Sequence, residues 1–199
     1  MVALTISTIQ VSNSRKDLLE QINHDKEIQN KENRVFLTSK SVHKPFLMPI
    51  DEFTTIHLHD RLRMFVEHNP KEELEGMRAH FINILYYGKS ESVLDVEFTL
   101  VLKYEDDEGD FVAKMFRTGL NKEEKVYIPL SPIKANVQFK SLKIRYKTLF
   151  DEQMIFVSNQ IENKEKHYVI KDGKYKKIKE RDMNYEFQLN TELGEDHIY

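Results

Sequence analysis

The sequence predicts a mainly β protein with two helices (α+β), built as an antiparallel β-sandwich of jelly-roll-like form. Three observations carry this. Leu94, Val96, Phe98, Leu100, Leu102 and Tyr104 fall on every second position, with Asp95, Glu97 and Lys103 between them. A side-chain period of two marks a strand with one buried face. Leu142, Ile144 and Tyr146 repeat the alternation against Lys143, Arg145 and Lys147. From Ser92 onwards, turn residues recur often enough to separate about eight short strands.

The elements follow in order. Leu4 to Ile9 reads as an opening strand. Ser14 and Asp17 resemble a capping box, and a helix is expected from about Arg15 to Glu32 with a thin apolar face of Leu18, Leu19, Ile22 and Ile28. Such a helix either lies on the core or docks on a partner. Arg34 to Leu37 forms a short strand. Phe46, Leu47 and Met48, framed by Pro45 and Pro49, are expected to be pinned against the core. Thr55 to Val66 reads as a strand, with His57, His59, Arg61 and Arg63 in a row on one face, about 7 Å apart. Asn69 and Pro70 signal a helix start. Leu74, Met77, Phe81, Ile84 and Leu85 then follow at helical spacing, predicting a helix over about 70–87 that ends at Gly88 and packs on the sheet.

Val93 to Tyr104 turns through an acidic loop, Glu105 to Asp110, into Phe111 to Arg117. Gly119 and Asn121 turn the chain again into Val126 to Leu130. Val137 to Tyr146, Met154 to Ser158, His167 to Lys171, Lys174 to Lys179 and Asn184 to Leu189 complete the strands. Asp172-Gly173 is a two-residue hairpin signal of type I′. The domain reading is an N-terminal strand and helix arm over 1–40, a sandwich over 41–190 and a frayed tail over 191–199.

Composition narrows the function. The 199 residues suffice for a core without staples. Apolar content of 40% and charged content of 32% describe a folded protein with a densely charged surface. A net charge of −3 exerts no global pull on nucleic acid or acidic membrane, so any such affinity must be local. The absence of cysteine removes thiolate chemistry and fits a reducing compartment. With no signal peptide and no apolar run of bilayer length, a cytoplasmic or other intracellular protein without a transmembrane segment is expected.

No G-x-S-x-G elbow, P-loop or G-x-G-x-x-G is present. The expectation is therefore a protein that is not an enzyme and carries no cofactor or metal. The strongest charge feature is Lys164 to Arg181, with eight basic residues against three acidic, a net of +5. Pairing about Asp172-Gly173 sets Ile170 opposite Tyr175 and Val169 opposite Lys176, which puts lysines on both faces. Such a hairpin belongs at an edge or in a protruding finger, where lysines block aggregation or bind anions.

The anion-binding set is therefore His57, His59, Arg61, Arg63, Lys166, Lys171, Lys174, Lys176, Lys177 and Lys179, with Tyr168 and Tyr175 available to stack on bases. The expected protein is structural, self-associating as a homo-oligomer, and binds RNA, DNA or acidic membrane, as viral matrix, coat or movement proteins do. Two alternatives stand beside it: a carbohydrate- or ligand-binding sandwich, and a metal-dependent enzyme using the His57/His59 pair. The acidic loop is weighed for calcium and lacks the EF-hand spacing.

Overall fold

The computed structural model describes the backbone of residues 2–105, 107–132 and 136–183, and the side chains among them except those of 2–13 and 132. In chain order these residues form α1 (Val2–Glu32), β1 (Phe36–Pro45), β2 (Thr54–Ile56), α2 (Asp60–His68), α3 (Lys71–Glu75), β3 (Arg78–Tyr87) and β4 (Ser92–Tyr104), followed by β5 (Asp110–Asn121), β6 (Lys125–Pro132), β7 (Val137–Thr148), β8 (Gln153–Asn159), β9 (Lys164–Lys171) and β10 (Lys174–Asp182). The protein is mainly β, as predicted. One sheet has the order β1-β3-β6-β2 and the other β10-β9-β8-β7-β4-β5. Every pairing is antiparallel except that of β2 with β6.

The alternating strands build the main core. Val96, Phe98, Leu100 and Leu102 of β4, Leu142 and Ile144 of β7, and Met154 and Phe156 of β8 pack against Leu37, Ile82, Ile84, Ile128 and Leu130 of the smaller sheet. Their charged neighbours point to the outside of the larger sheet. At one side of the sandwich the two sheets are tied by a carboxylate. Glu165 of β9 is fully buried and accepts hydrogen bonds from the Thr38 hydroxyl at 2.8 Å and from both the N–H and the hydroxyl of Ser39 at 2.9 Å.

A second cluster roofs the outer face of the smaller sheet. Phe46, Met48, Leu62 and Leu74 cover Ala79, Phe81 and Tyr127. Phe46 and Met48 are thus pinned as expected, while Leu47 stays exposed.

Four local expectations are corrected. Residues 4–9 belong to α1. With no neighbouring strand to pair with, their backbone groups close within a helix instead. Beyond α1, the expected helix at 70–87 shrinks to α3, and Arg78–Tyr87 is strand β3. This strand is covered on both faces, by the roof over Ala79 and Phe81 and by the main core over Ile82 and Ile84, so its apolar run has no period of two. Asn69 ends α2, its side-chain amide donating to the Phe65 carbonyl at 2.7 Å. Gly119 lies within β5 rather than in a turn. A Cβ there would sit 2.8 Å from the Val93 carbonyl oxygen, and only glycine permits that approach. The expected strand at Asn184 to Leu189 and the tail after it lie outside the described residues.

Candidate anion-binding surface

The predicted basic strand at Thr55 to Val66 does not form. Only Thr54–Ile56 is strand, pairing parallel with β6, and α2 begins at Asp60. His57 and His59 lie between the two and turn inward. The His57 ring packs 5.4 Å from that of Phe98, and burial, then the nearby Arg117, lowers its pKa. His59 caps α2. Its Nδ1 accepts from the Leu62 N–H at 3.4 Å and its Nε2 faces the Leu130 carbonyl at 3.4 Å, so both ring nitrogens are engaged. Arg61 lies over the Tyr104 ring, 3.8 Å from its centroid, and pairs with Asp107. Arg63 pairs with Asp60 at 3.7 Å. The alternation of His and Arg is real in sequence, but a helix start splits it, so the four cations share no face. Asp107 is engaged by Arg61 and Glu105 by the Asn136 amide, so the acidic loop spends these carboxylates internally.

The lysine hairpin has the predicted register. Ile170 faces Tyr175, and Val169 faces Lys176. Asp172 and Gly173 both have positive φ, 52° and 71°, as a type I′ turn requires. β10 is an edge of the larger sheet. Much of its charge is neutralised within the chain. Lys166 pairs with Glu162, Lys171 with Glu27 of α1 at 2.7 Å, and Lys177 and Lys164 with Glu180. The hydrogen bonds from Lys164 and Lys177 hold the Glu180 carboxyl down at about 2. Lys179 sits over the Phe36 ring, 4.6 Å from its centroid. Lys174 and Lys176 carry no ion pair among the described residues. Tyr175 is exposed and Tyr168 half-buried.

Strand pairing places a further set of cations that sequence reasoning did not single out. On the outer face of the larger sheet one cross-strand row reads Lys114, Thr99, Lys143, Val157, Lys166, Glu180. The next reads Phe116, Glu97, Arg145, Ile155, Tyr168, Lys177. Strands stand about 4.8 Å apart, so lysines on alternate strands of the first row recur about every 10 Å. Lys114, Lys143 and Arg145 have no carboxylate within ion-pair distance among the described residues. Phe116 beside them is 69% exposed. The signal in sequence was the Lys-x-Arg-x-Lys alternation of β7 itself.

Two other polar features lie apart from this face. His43 and His80, opposite each other on β1 and β3, are hydrogen-bonded through their rings. Burial, and then His43, pushes the His80 pKa down to about 4. Across the sandwich, a cleft of about 540 Å³ is lined by Glu52, Phe53, Thr55, Arg117, Asn121 and Glu124, among others. There Glu124 accepts from Thr55 and Arg117, and although burial opposes it these bonds hold the carboxyl below its ordinary range. Among the described residues no group of three His, Cys, Asp or Glu is placed to hold a metal ion, and no helix is long and apolar enough to cross a membrane.

The chain matches no family model, no curated protein and no solved structure.

Proposed function

We propose that this is a non-enzymatic binding protein of the structural or assembly type, which holds a polyanion, foremost nucleic acid, against the open face of its larger sheet. One observation supports this above all: Lys114, Lys143 and Arg145 stand together on that face and, among the described residues, none of them forms an ion pair, although Glu97 lies opposite Arg145. Clustered like charges repel one another and contribute nothing to folding, so their gain comes when phosphates arrive and counterions leave. Tyr168 in the neighbouring row supplies a ring on which an unpaired base stacks. Lys174 and Lys176 at the β10 edge extend the field. His57, His59 and Arg61, turned inward or spent on Asp107, are not part of this surface.

The test is fluorescence anisotropy with labelled single-stranded RNA, duplex DNA and phosphatidylserine vesicles over a salt series. The proposal expects binding that weakens steeply with salt and is lost in Lys143→Glu/Arg145→Glu. A protein that ignores all three probes at low salt refutes it. Stronger binding to vesicles than to either nucleic acid transfers the surface to acidic membrane.

The cleft favours a second reading, a carbohydrate- or ligand-binding module. Phe53, 44% exposed, gives it an aromatic wall, and Asn121 and the glutamates give it hydrogen-bonding groups. A glycan-array signal lost in Phe53→Ala would support this reading.

A further inference from the structure

We infer that two copies of the chain join edge to edge along β5, in an antiparallel two-fold pairing centred on Phe116. Edge strands offer unpaired backbone groups, and proteins blunt them with charge, proline or brevity. Among the described residues, three of the four sheet edges are blunted. β2 has three residues. β1 carries Lys40 and Lys44 and ends at Pro45. β10 carries Lys174, Lys176, Lys177, Lys179 and Arg181 among nine residues.

β5 is different. It is a twelve-residue edge, and among the described residues only β4 pairs with it. Its cations are Lys114 and Arg117, and Arg117 turns to Glu124. Beside this edge Val112 is 54% and Phe116 69% exposed, Phe116 being more exposed than any other apolar residue of the two sheets.

The charge pattern of the strand selects a second copy as the occupant. A two-fold pairing repeats each contact twice. Centred on Lys114 it would oppose lysine to lysine, which is unfavourable. Centred on Phe116 it sets the two phenyl rings against each other, Lys114 against Thr118, and Asp110 against Lys122 of the other copy. This register runs almost the full length of the strand. It opposes two pairs of unlike charges and no like pair, and it covers the exposed Phe116 ring with its own counterpart and sets Val112 against Leu120 of the other copy. Asp110 makes no ion pair within its own chain among the described residues, whereas Lys122 also reaches Glu91 of its own chain at 3.6 Å. The helix α1 is not needed for this contact, although its Leu18, Leu19 and Ile22 are also exposed.

The test is sedimentation of the full chain, without nucleic acid, from low to high micromolar concentration. The expected result is twice the chain mass, returning to the single mass in Phe116→Arg with an unchanged circular-dichroism spectrum. Because the chain has no cysteine, Phe116→Cys gives an independent reading. Opposed residues of an antiparallel pair have Cα atoms about 4.5–5.5 Å apart, within disulfide reach. Mild oxidation should therefore yield a covalent dimer, and Leu19→Cys in α1 should not. A chain that stays single at every concentration, a dimer that survives Phe116→Arg, or cross-linking through Leu19→Cys in place of Phe116→Cys overturns the inference. Sedimentation is run without polyanion, so loss of the dimer is read separately from loss of polyanion binding.

Discussion

Glu165 and Arg181 meet across the β9–β10 pair, with the guanidinium Nε donating to the carboxylate at 2.6 Å. The carboxylate is fully buried, while the Arg181 side chain is 41% exposed. Removing the arginine leaves an anion inside the sandwich held only by Thr38 and Ser39. Discounted for solvent screening of the exposed partner, Arg181→Ala should cost about 1–3 kcal/mol. Arg181→Lys, which keeps charge but loses the planar fork, should cost less. Urea denaturation midpoints check both, and equal midpoints for wild type and Arg181→Ala would show the pair to be dispensable.

Stability should fall with acid between about pH 6.5 and pH 4. His80 and His167 are both pushed down to about 4, chiefly by burial, while an unfolded imidazole titrates near 6.5. In that window the unfolded chain binds more protons than the native one. The stabilisation is therefore complete above 6.5 and lost as pH drops towards 4, on the order of 1–3 kcal/mol per histidine. The His167 Nε2–H donates to the Leu37 carbonyl at 2.8 Å, so His167→Gln lowers stability at pH 7 and flattens the pH dependence. Melting temperatures measured from pH 7.5 to pH 4.5 decide this. A variant with the full wild-type slope contradicts it.

Charge reversals separate the sheet face from the edge ribbon. Lys143→Glu/Arg145→Glu should abolish most polyanion binding. Lys174→Glu/Lys176→Glu should weaken it and lower the salt slope by roughly 1–2, one unit per lost phosphate contact. The opposite ranking would return the site to the hairpin.

Gly119→Ala should destabilise the fold by about 1–3 kcal/mol, because the added methyl meets a backbone oxygen that cannot swing away. Gly173→Ala has open space, and its cost, about 1 kcal/mol, comes only from positive φ. Thermal unfolding of the two variants should rank them in that order.

What could be read from the sequence depended on how each element is exposed. β4 and β7 were legible because one face of each is core and the other is solvent, so buried residues and more exposed, mostly polar ones alternate over Val96–Tyr104 and Leu142–Thr148; a bulge at Asp95 turns Leu94 out to 42% exposure and puts Val93 in the core instead. The β9–β10 register was legible because two residues fix the turn. β3 was not, because a roof on one side and a core on the other remove the alternation, and Leu74, Met77, Phe81 and Ile84 fall by coincidence at helical intervals. The candidate surface was half legible. The charges of β7 were visible, but their alignment with Lys114 and Lys166 depends on pairing between strands distant in sequence. The row of His57, His59, Arg61 and Arg63 misled because a helix cap interrupts it, and nothing in the residues around His59 marked it as a cap.

The roof over Ala79, Phe81 and Tyr127 gives the molecule a front and a back. Helices and loop thatch the smaller sheet, and among the described residues the outer face of the larger sheet has no such cover. Whatever the protein touches with a broad flat area it meets from one side only. A row of such molecules laid sheet-down on a common support would all turn their helical roofs to the surroundings, so a film of them would be two-faced by construction.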